Sequence, residues 1–204
     1  MERKIAPSGT TICGRTYDAY IEMVKTFHGH VAPGVVIGGF MVDLAYRNRP
    51  PGEFLDAMCE TRKCLPDAVQ LLTPCTIGNG WLKIVDLGRF AFSLYDKNSG
   101  NGVRVYASSK KLIDWPELKT FFFKLKPKHE QNSDELMREI ALANTSIFDV
   151  QQILVKPDYL ESHRRGALAV CPACGEGYPV ADGEVCLGCQ GKAPYSQVRD
   201  LKGK

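Results

Sequence analysis

Two Cys-x-x-Cys pairs, Cys171 with Cys174 and Cys186 with Cys189, stand eleven residues apart near the end of this 204-residue chain. They constrain the fold more than any other feature. Two such pairs gather four soft thiolates, the donor set of a tetrahedral Zn²⁺ site. The segment around them is too short to bury a core of its own, and a bound metal takes the place of that core. Gly175 and Gly188 are expected to let each pair fold as a tight knuckle. Four thiolates leave no open coordination position, so the zinc expected here, one per chain, is structural. The polar stretch KPDYLESHRRG precedes the cluster and reads as a linker. The expected organisation is a core over 1–155, a linker over 156–168 and a four-Cys module over 169–204.

Composition narrows the remaining classes. Hydrophobic residues at 44% and charged residues at 24% exclude a mostly disordered chain. No apolar run reaches the roughly 18–20 residues needed to span a bilayer, and the opening MERKIAPSGT lacks the apolar stretch of a secretory signal. A cytoplasmic location is expected. There thiols stay reduced, and clustered cysteines act as metal ligands or redox groups. The net charge of +3 falls to about +1 once four thiolates hold one Zn²⁺. That charge, with no stripe of aromatic and basic residues, argues against a nucleic-acid partner. Lys192, Arg199, Lys202 and Lys204 give a slightly basic, solvated tail.

Periodicity predicts an α+β core with a mostly antiparallel sheet. Thr16 is placed to cap a helix whose apolar positions are Tyr17, Tyr20, Ile21, Val24 and Phe27, ending at Gly29. Pro33 suits the first turn of a second helix over 34–47, apolar almost all round and therefore buried. Its Gly38 and Gly39 are expected to admit a close neighbour. Strands are predicted over 54–60, 81–87, 90–95, 103–108 and 147–155, with a hairpin turn at 96–102. Further helices are predicted over 66–72, over 116–125 from an Asp114/Glu117 start, and over 133–144 from an Asn132/Glu135 start. The aromatic run Phe121–Phe123 beside Trp115 reads as core packing or as a face for a dimer partner.

Within this core, His28 and His30 stand one residue apart beside the start of the second helix. Cys64 immediately precedes the helix at 66–72, a position expected to lower a thiol pKa. Cys75 lies in the Gly-rich turn TPCTIGNG, whose backbone amides could approach a bound group. Both cysteines read equally well as small buried hydrophobes.

Several of these segments, in order, resemble the FmdE family, which takes its name from formylmethanofuran dehydrogenase. FHGHVAPG (27–34) resembles the family's Phe-His-Gly-His-x-Cys-Pro-Gly. ETRKCLPDAVQLLTPCTIGNGWL (60–82) is similar to its Cys-x-x-Asp-Ala-x-Gln … Thr-x-Cys-Thr-x-Gly stretch, and DLGRFAF (86–92) matches the following strand. The resemblance implies a commonly dimeric α+β core and a treble-clef or ribbon-like zinc module. It also implies a cavity lined by His28, His30, Cys64 and Cys75, where a second transition metal sits. Two departures bear on that pocket. Ala32 stands where the family has a cysteine, and Arg62 stands where it has an acid. Both weaken a cation site. Cys59 either compensates for Ala32 or packs in the core.

The leading functional expectation is therefore a metal-binding protein associated with molybdenum or tungsten redox enzymes. The alternative is an accessory that binds a cofactor or small anion, with Arg62 as a positive group and no core metal. A homodimer is expected, and whether the chain is itself an enzyme stays open.

Overall fold

The computed structural model describes residues 6–52, 54–160 and 166–195. The chain divides into two compact units, Met1–Leu160 and Glu161–Lys204.

The first unit is an α+β core built on a five-stranded sheet. Its strands are β3 (Leu55–Cys59), β4 (Leu82–Ile84), β5 (Ala91–Asp96), β6 (Asn101–Ala107) and β7 (Phe148–Leu154), in the order β4-β3-β5-β6-β7. Every pairing is antiparallel except β3 with β4, which the crossover helix α3 (Leu65–Leu72) makes parallel. Alternation along the strands sends Ala57, Cys59, Phe92, Leu94, Val103, Val105 and Phe148 to one face. There they join residues of α1 (Tyr17–His28), α2 (Pro33–Asn48) and α3 in a single core cluster.

The helices begin and end where local chemistry dictates. Thr16 accepts a hydrogen bond from the Ala19 amide at 3.2 Å, and Gly29, at φ 87°, closes α1. Helix α2 is buried almost throughout, and its two glycines are contact points. A Cβ on Gly38 would lie 2.6 Å from that of Ala68, and one on Gly39 only 2.4 Å from the Tyr20 ring. The Tyr20 hydroxyl, fully buried, donates to the Val35 carbonyl at 2.8 Å and so ties α1 to α2.

The start of α4 (Pro116–Phe123) differs from expectation. Trp115 takes the cap position and no side chain of Asp114 serves it. Instead Glu139, buried on α5 (Ser133–Ala143), accepts from the Glu117 and Leu118 amides at 3.0 and 2.9 Å. Asn132 caps α5 as expected, accepting from the Glu135 amide at 3.1 Å. Phe121 and Phe122 pack against the core, while Phe123 is exposed. A small hairpin, β1 (Thr11–Ile12) and β2 (Arg15–Thr16), adds to the predicted elements. Its turn puts Cys13 and Gly14 at φ 49° and 75°, and the Cys13 amide donates to Asp43 of α2 at 2.8 Å.

Of the expected linker over 156–168, Pro157–Leu160 form a helical turn and Leu168 opens β8; 161–165 lie outside the described residues. The second unit holds the hairpin β8 (Leu168–Val170) and β9 (Gly177–Pro179), followed by short helical turns to Lys192. Arg199, Lys202 and Lys204 of the expected basic tail also lie outside the described residues. Among the described residues no helix is long and apolar enough to cross a membrane.

Candidate functional site

In the second unit the four expected cysteines meet. Cys171 follows β8, and its amide donates to the Glu176 carbonyl at 2.8 Å across the hairpin. Gly175, at φ 79°, turns the chain back after Cys174, and its amide donates to the Cys171 carbonyl at 2.8 Å. At the second pair the left-handed position belongs to Gly191, not to Gly188 as expected. The Sγ atoms of Cys171, Cys174, Cys186 and Cys189 lie within 4.8 Å of one another. Cys171 and Cys189 are 3.9 Å apart, and Cys174 and Cys186 are 3.7 Å apart. A tetrahedron with Zn–S bonds of about 2.3 Å has S···S edges of roughly 3.8 Å. All four are free thiols rather than disulfides, and two of them accept backbone amides: Cys186 N–H on Cys171 and Cys189 N–H on Cys186, both at 3.4 Å. The donor set, the spacing and the amide bonds fit one structural zinc.

The core presents a different arrangement. His28 is the last residue of α1, His30 lies in the turn that follows, and their ring centroids are 4.9 Å apart. Cys64 caps α3 with φ 57° and ψ −53°, a backbone conformation rare for a residue with a Cβ. Its side chain is seated against the first turn of α2, where a Cβ on Gly34 would fall 2.8 Å from Cys64 Cβ and 3.0 Å from Sγ. The ring of Phe121 lies 3.8 Å from the same point. One turn along α3, Asp67 Oδ2 is 2.5 Å from His28 Nδ1. Three helix ends thus bring His28, His30, Cys64 and Asp67 into one neighbourhood. Ala32, the position of the missing family cysteine, is the buried N-cap of α2 at this same junction.

Several expectations are corrected here. Cys75 does not join this neighbourhood. It follows the C-terminal end of α3, a helix of eight residues and therefore about 12 Å long, whereas Cys64 sits at the opposite end. Fully buried, Cys75 donates its thiol to the Leu55 carbonyl at 3.3 Å. The amides of its Gly-rich turn are engaged within the molecule: Cys75 with Thr73, Thr76 and Trp81 with Asn79, Ile77 with Gln70. Arg62 is an exposed side chain paired with Asp86 at 3.2 Å, because Glu60 already holds Arg104 and Arg89 on the sheet. Cys59 is fully buried in the apolar core, and burial raises its thiol pKa.

The Cys64 thiol is also pushed up rather than down. Burial and then the Asp67 carboxylate outweigh Lys128, Lys63 and the helix end. A thiol in that setting stays protonated near neutral pH unless a cation stands beside it. Asp67 and Phe121 join this site without a sequence expectation behind them. The available signal for Asp67 is its place three residues, or one helical turn, after Cys64.

Among the described residues, the carboxyl-terminal four are the one group of three or more His, Cys, Asp or Glu side chains with ligand atoms mutually within 4.8 Å. Comparison with known proteins agrees with both descriptions. The family model for FmdE, described as molybdenum formylmethanofuran dehydrogenase operon, matches residues 27–154, and the FmdE treble clef zinc finger matches 162–196. A crystal structure of an FmdE-like protein of tungsten formylmethanofuran dehydrogenase, from Syntrophus aciditrophicus, is 50% identical, with a TM-score of 0.86. The match covers 93% of this chain and all of that one. A curated relative from Archaeoglobus fulgidus, named "Probable S-adenosyl-L-methionine-binding protein", is 28% identical over 188 residues, covering 82% of this chain. This chain spans about half (51%) of that relative's length. With more than half of its residues inside the family model and a four-Cys site to match the zinc finger, the chain belongs to the FmdE family.

Proposed function

We propose that this FmdE-type protein carries a second, exchangeable transition-metal site in its core and serves as an accessory to a molybdenum- or tungsten-dependent oxidoreductase. The supporting observation is the pair of imidazoles of His28 and His30, 4.9 Å apart, at the junction where Cys64 is wedged against Gly34. His28, His30 and Cys64 form a mixed N/S donor set that suits zinc or a neighbouring first-row metal. A metal held by three protein ligands supplies a Lewis acid with an open position. The His28 side chain is 21% exposed, so the site is open to a small ligand or to a partner's surface. The exposed Arg62–Asp86 pair leaves the small-anion alternative without its positive group. The role beside a molybdenum or tungsten enzyme rests on the family's operon description. The expected homodimer finds a surface on the outer side of α1, where Ala19, Met23 and Phe27 with Leu71 line an open apolar groove of about 630 Å³.

Elemental analysis of the anaerobically purified full chain tests the metal reading. Two transition ions per chain are expected, falling to one in His28→Ala/His30→Ala. A single ion in the unaltered chain, unchanged in the variant, overturns it. Sedimentation of Phe27→Glu beside the unaltered chain reads the dimer: two chains converting to one are expected, and an unaltered chain that is already monomeric overturns it.

A further inference from the structure

We infer that Asp67 is the positioning residue of the core site: it holds His28 as the Nδ1–H tautomer and thereby presents Nε2 as the free ligand atom. This rests on the reading of that site as a metal site.

The bond is 2.5 Å, from His28 Nδ1 to Asp67 Oδ2. An ionised carboxylate can only accept, so in the neutral imidazole the single ring hydrogen must sit on Nδ1 and the lone pair on Nε2. Asp67 forgoes an ordinary local role to make this contact. It stands at the third position of α3, where an acid commonly turns back to the amide of its own helix cap. Here that cap, Cys64, receives no side-chain hydrogen bond, and the Asp67 amide itself donates to the Cys64 carbonyl at 3.1 Å. Its carboxylate reaches instead across 39 residues of sequence to the last residue of α1. The backbone of His28 is fixed independently, because the Gly29 amide donates to the Lys25 carbonyl at 3.0 Å and closes the helix. One end of the ring is therefore set by the helix cap and the other by Asp67. A carboxylate behind a ligating histidine orients the ring and raises its basicity as a ligand. Asp67 also spans the site, since Cys64 begins the same helical turn.

The test uses the full chain labelled with ¹⁵N-histidine, at about pH 8, where an ordinary imidazole is neutral. The ring signals of His28 are assigned by their loss in His28→Gln. Nδ1–H is expected in the unaltered chain and in Asp67→Asn, whose amide oxygen still accepts. Asp67→Ala, which has no acceptor, is expected to move toward Nε2–H. Asp67→Leu, closer in volume, takes its place should the alanine variant not fold. A merely structural role would not move the tautomer. Co²⁺ titration of the core site is expected to weaken about 10- to 100-fold in Asp67→Ala, with Asp67→Asn intermediate. An Nε2–H ring in the unaltered chain, or a tautomer indifferent to loss of the acceptor, overturns the assignment. Should the unaltered chain take up no Co²⁺ beyond the four-Cys site, the metal reading falls, and the tautomer alone decides the role of Asp67.

Discussion

The two clusters of soft ligands in this chain are built by opposite means. In the carboxyl-terminal unit all four donors come from two short knuckles, and little else is buried around them: Leu168 and Val170 of β8 stay 69% and 71% exposed. In the core the donors come from three helix ends, and those ends are fixed by a fully buried apolar interior of α2, α3 and the sheet. The first cluster needs its metal in order to be a structure. The second is a structure already, and a metal there would be free to come and go. That difference separates a structural ion from a functional one, and it can be broken or sharpened by experiment.

The largest effect is expected from removing zinc. Structural Zn²⁺ sites carry about 10–16 kcal/mol of apparent binding free energy near neutral pH, more than a unit of this size gains from apolar burial. A strong chelator, or Cys171→Ser, should abolish the β8–β9 amide signals in an ¹H–¹⁵N spectrum. The signals of β5 and β6 should stay in place. Collapse of both sets together would show that the core, too, is organised by the metal.

A core that owes its order to packing should instead respond to a single added methyl group. Gly39→Ala sets a Cβ 2.4 Å from the Tyr20 ring, and Tyr20 cannot retreat without losing its bond to Val35. Overpacking at such a point costs about 3 kcal/mol, read as a lower melting temperature of the core whether or not zinc has been removed. A loss that appears only in the zinc-free protein would contradict the independence of the two regions.

How much of this is legible in the sequence follows the range of the interactions. Thr16, Gly29, Pro33 and Asn132 act on residues within one turn, and the helix boundaries they mark stand as expected. The four-Cys site is equally local, set by two short spacings. The cap of α4 is not local. Glu139 reaches it from 22 residues away, and no start signal near Pro116 could announce that. The β1–β2 hairpin is hard to read because Cys13 occupies a left-handed position that Asn or Gly usually marks. In the core site, sequence names His28, His30 and Cys64. It cannot show that α3 holds Cys75 a helix length away from Cys64. Nor can it show that burial and Asp67 raise the Cys64 thiol against the pull of the helix end.

The core also has an acid limit of its own. Glu60, buried at the end of β3, receives two hydrogen bonds from Arg104, at 2.5 and 2.9 Å, and lies 2.7 Å from Arg89. Chiefly through the Arg104 bonds, its carboxyl is held below the ordinary 4.5. A folded-state pKa below the unfolded one contributes stability that is present above the unfolded value and lost as pH falls through the folded one. Glu60→Gln should therefore cost about 2 kcal/mol at pH 7, modest for a buried pair because Arg89 is exposed. The cost should fade as pH drops below about 4, where the unaltered chain loses the same interaction. Denaturant titrations at several pH values measure it. A cost that persists at pH 3 would mean that Glu60 acts by packing rather than by charge.

The smallest expected effect on stability discriminates most sharply between the two clusters. Gly34→Ala places a Cβ 2.8 Å from Cys64 Cβ and 3.0 Å from its Sγ. The position lies in the first turn of α2, where alanine is otherwise the better helix former. The obstacle is one side chain rather than backbone, and Cys64 is only partly buried. Moving it aside should cost about 1 kcal/mol. The displaced thiol is the sole sulfur ligand proposed for the core ion, so Co²⁺ bound there should lose its sulfur-to-metal charge-transfer absorption while the melting temperature barely changes. The four-Cys site, whose ligands are all set by its own two knuckles, should keep its thiolate absorption in full. Equal loss at both sites would mean that the two clusters are not the separate constructions their geometry describes.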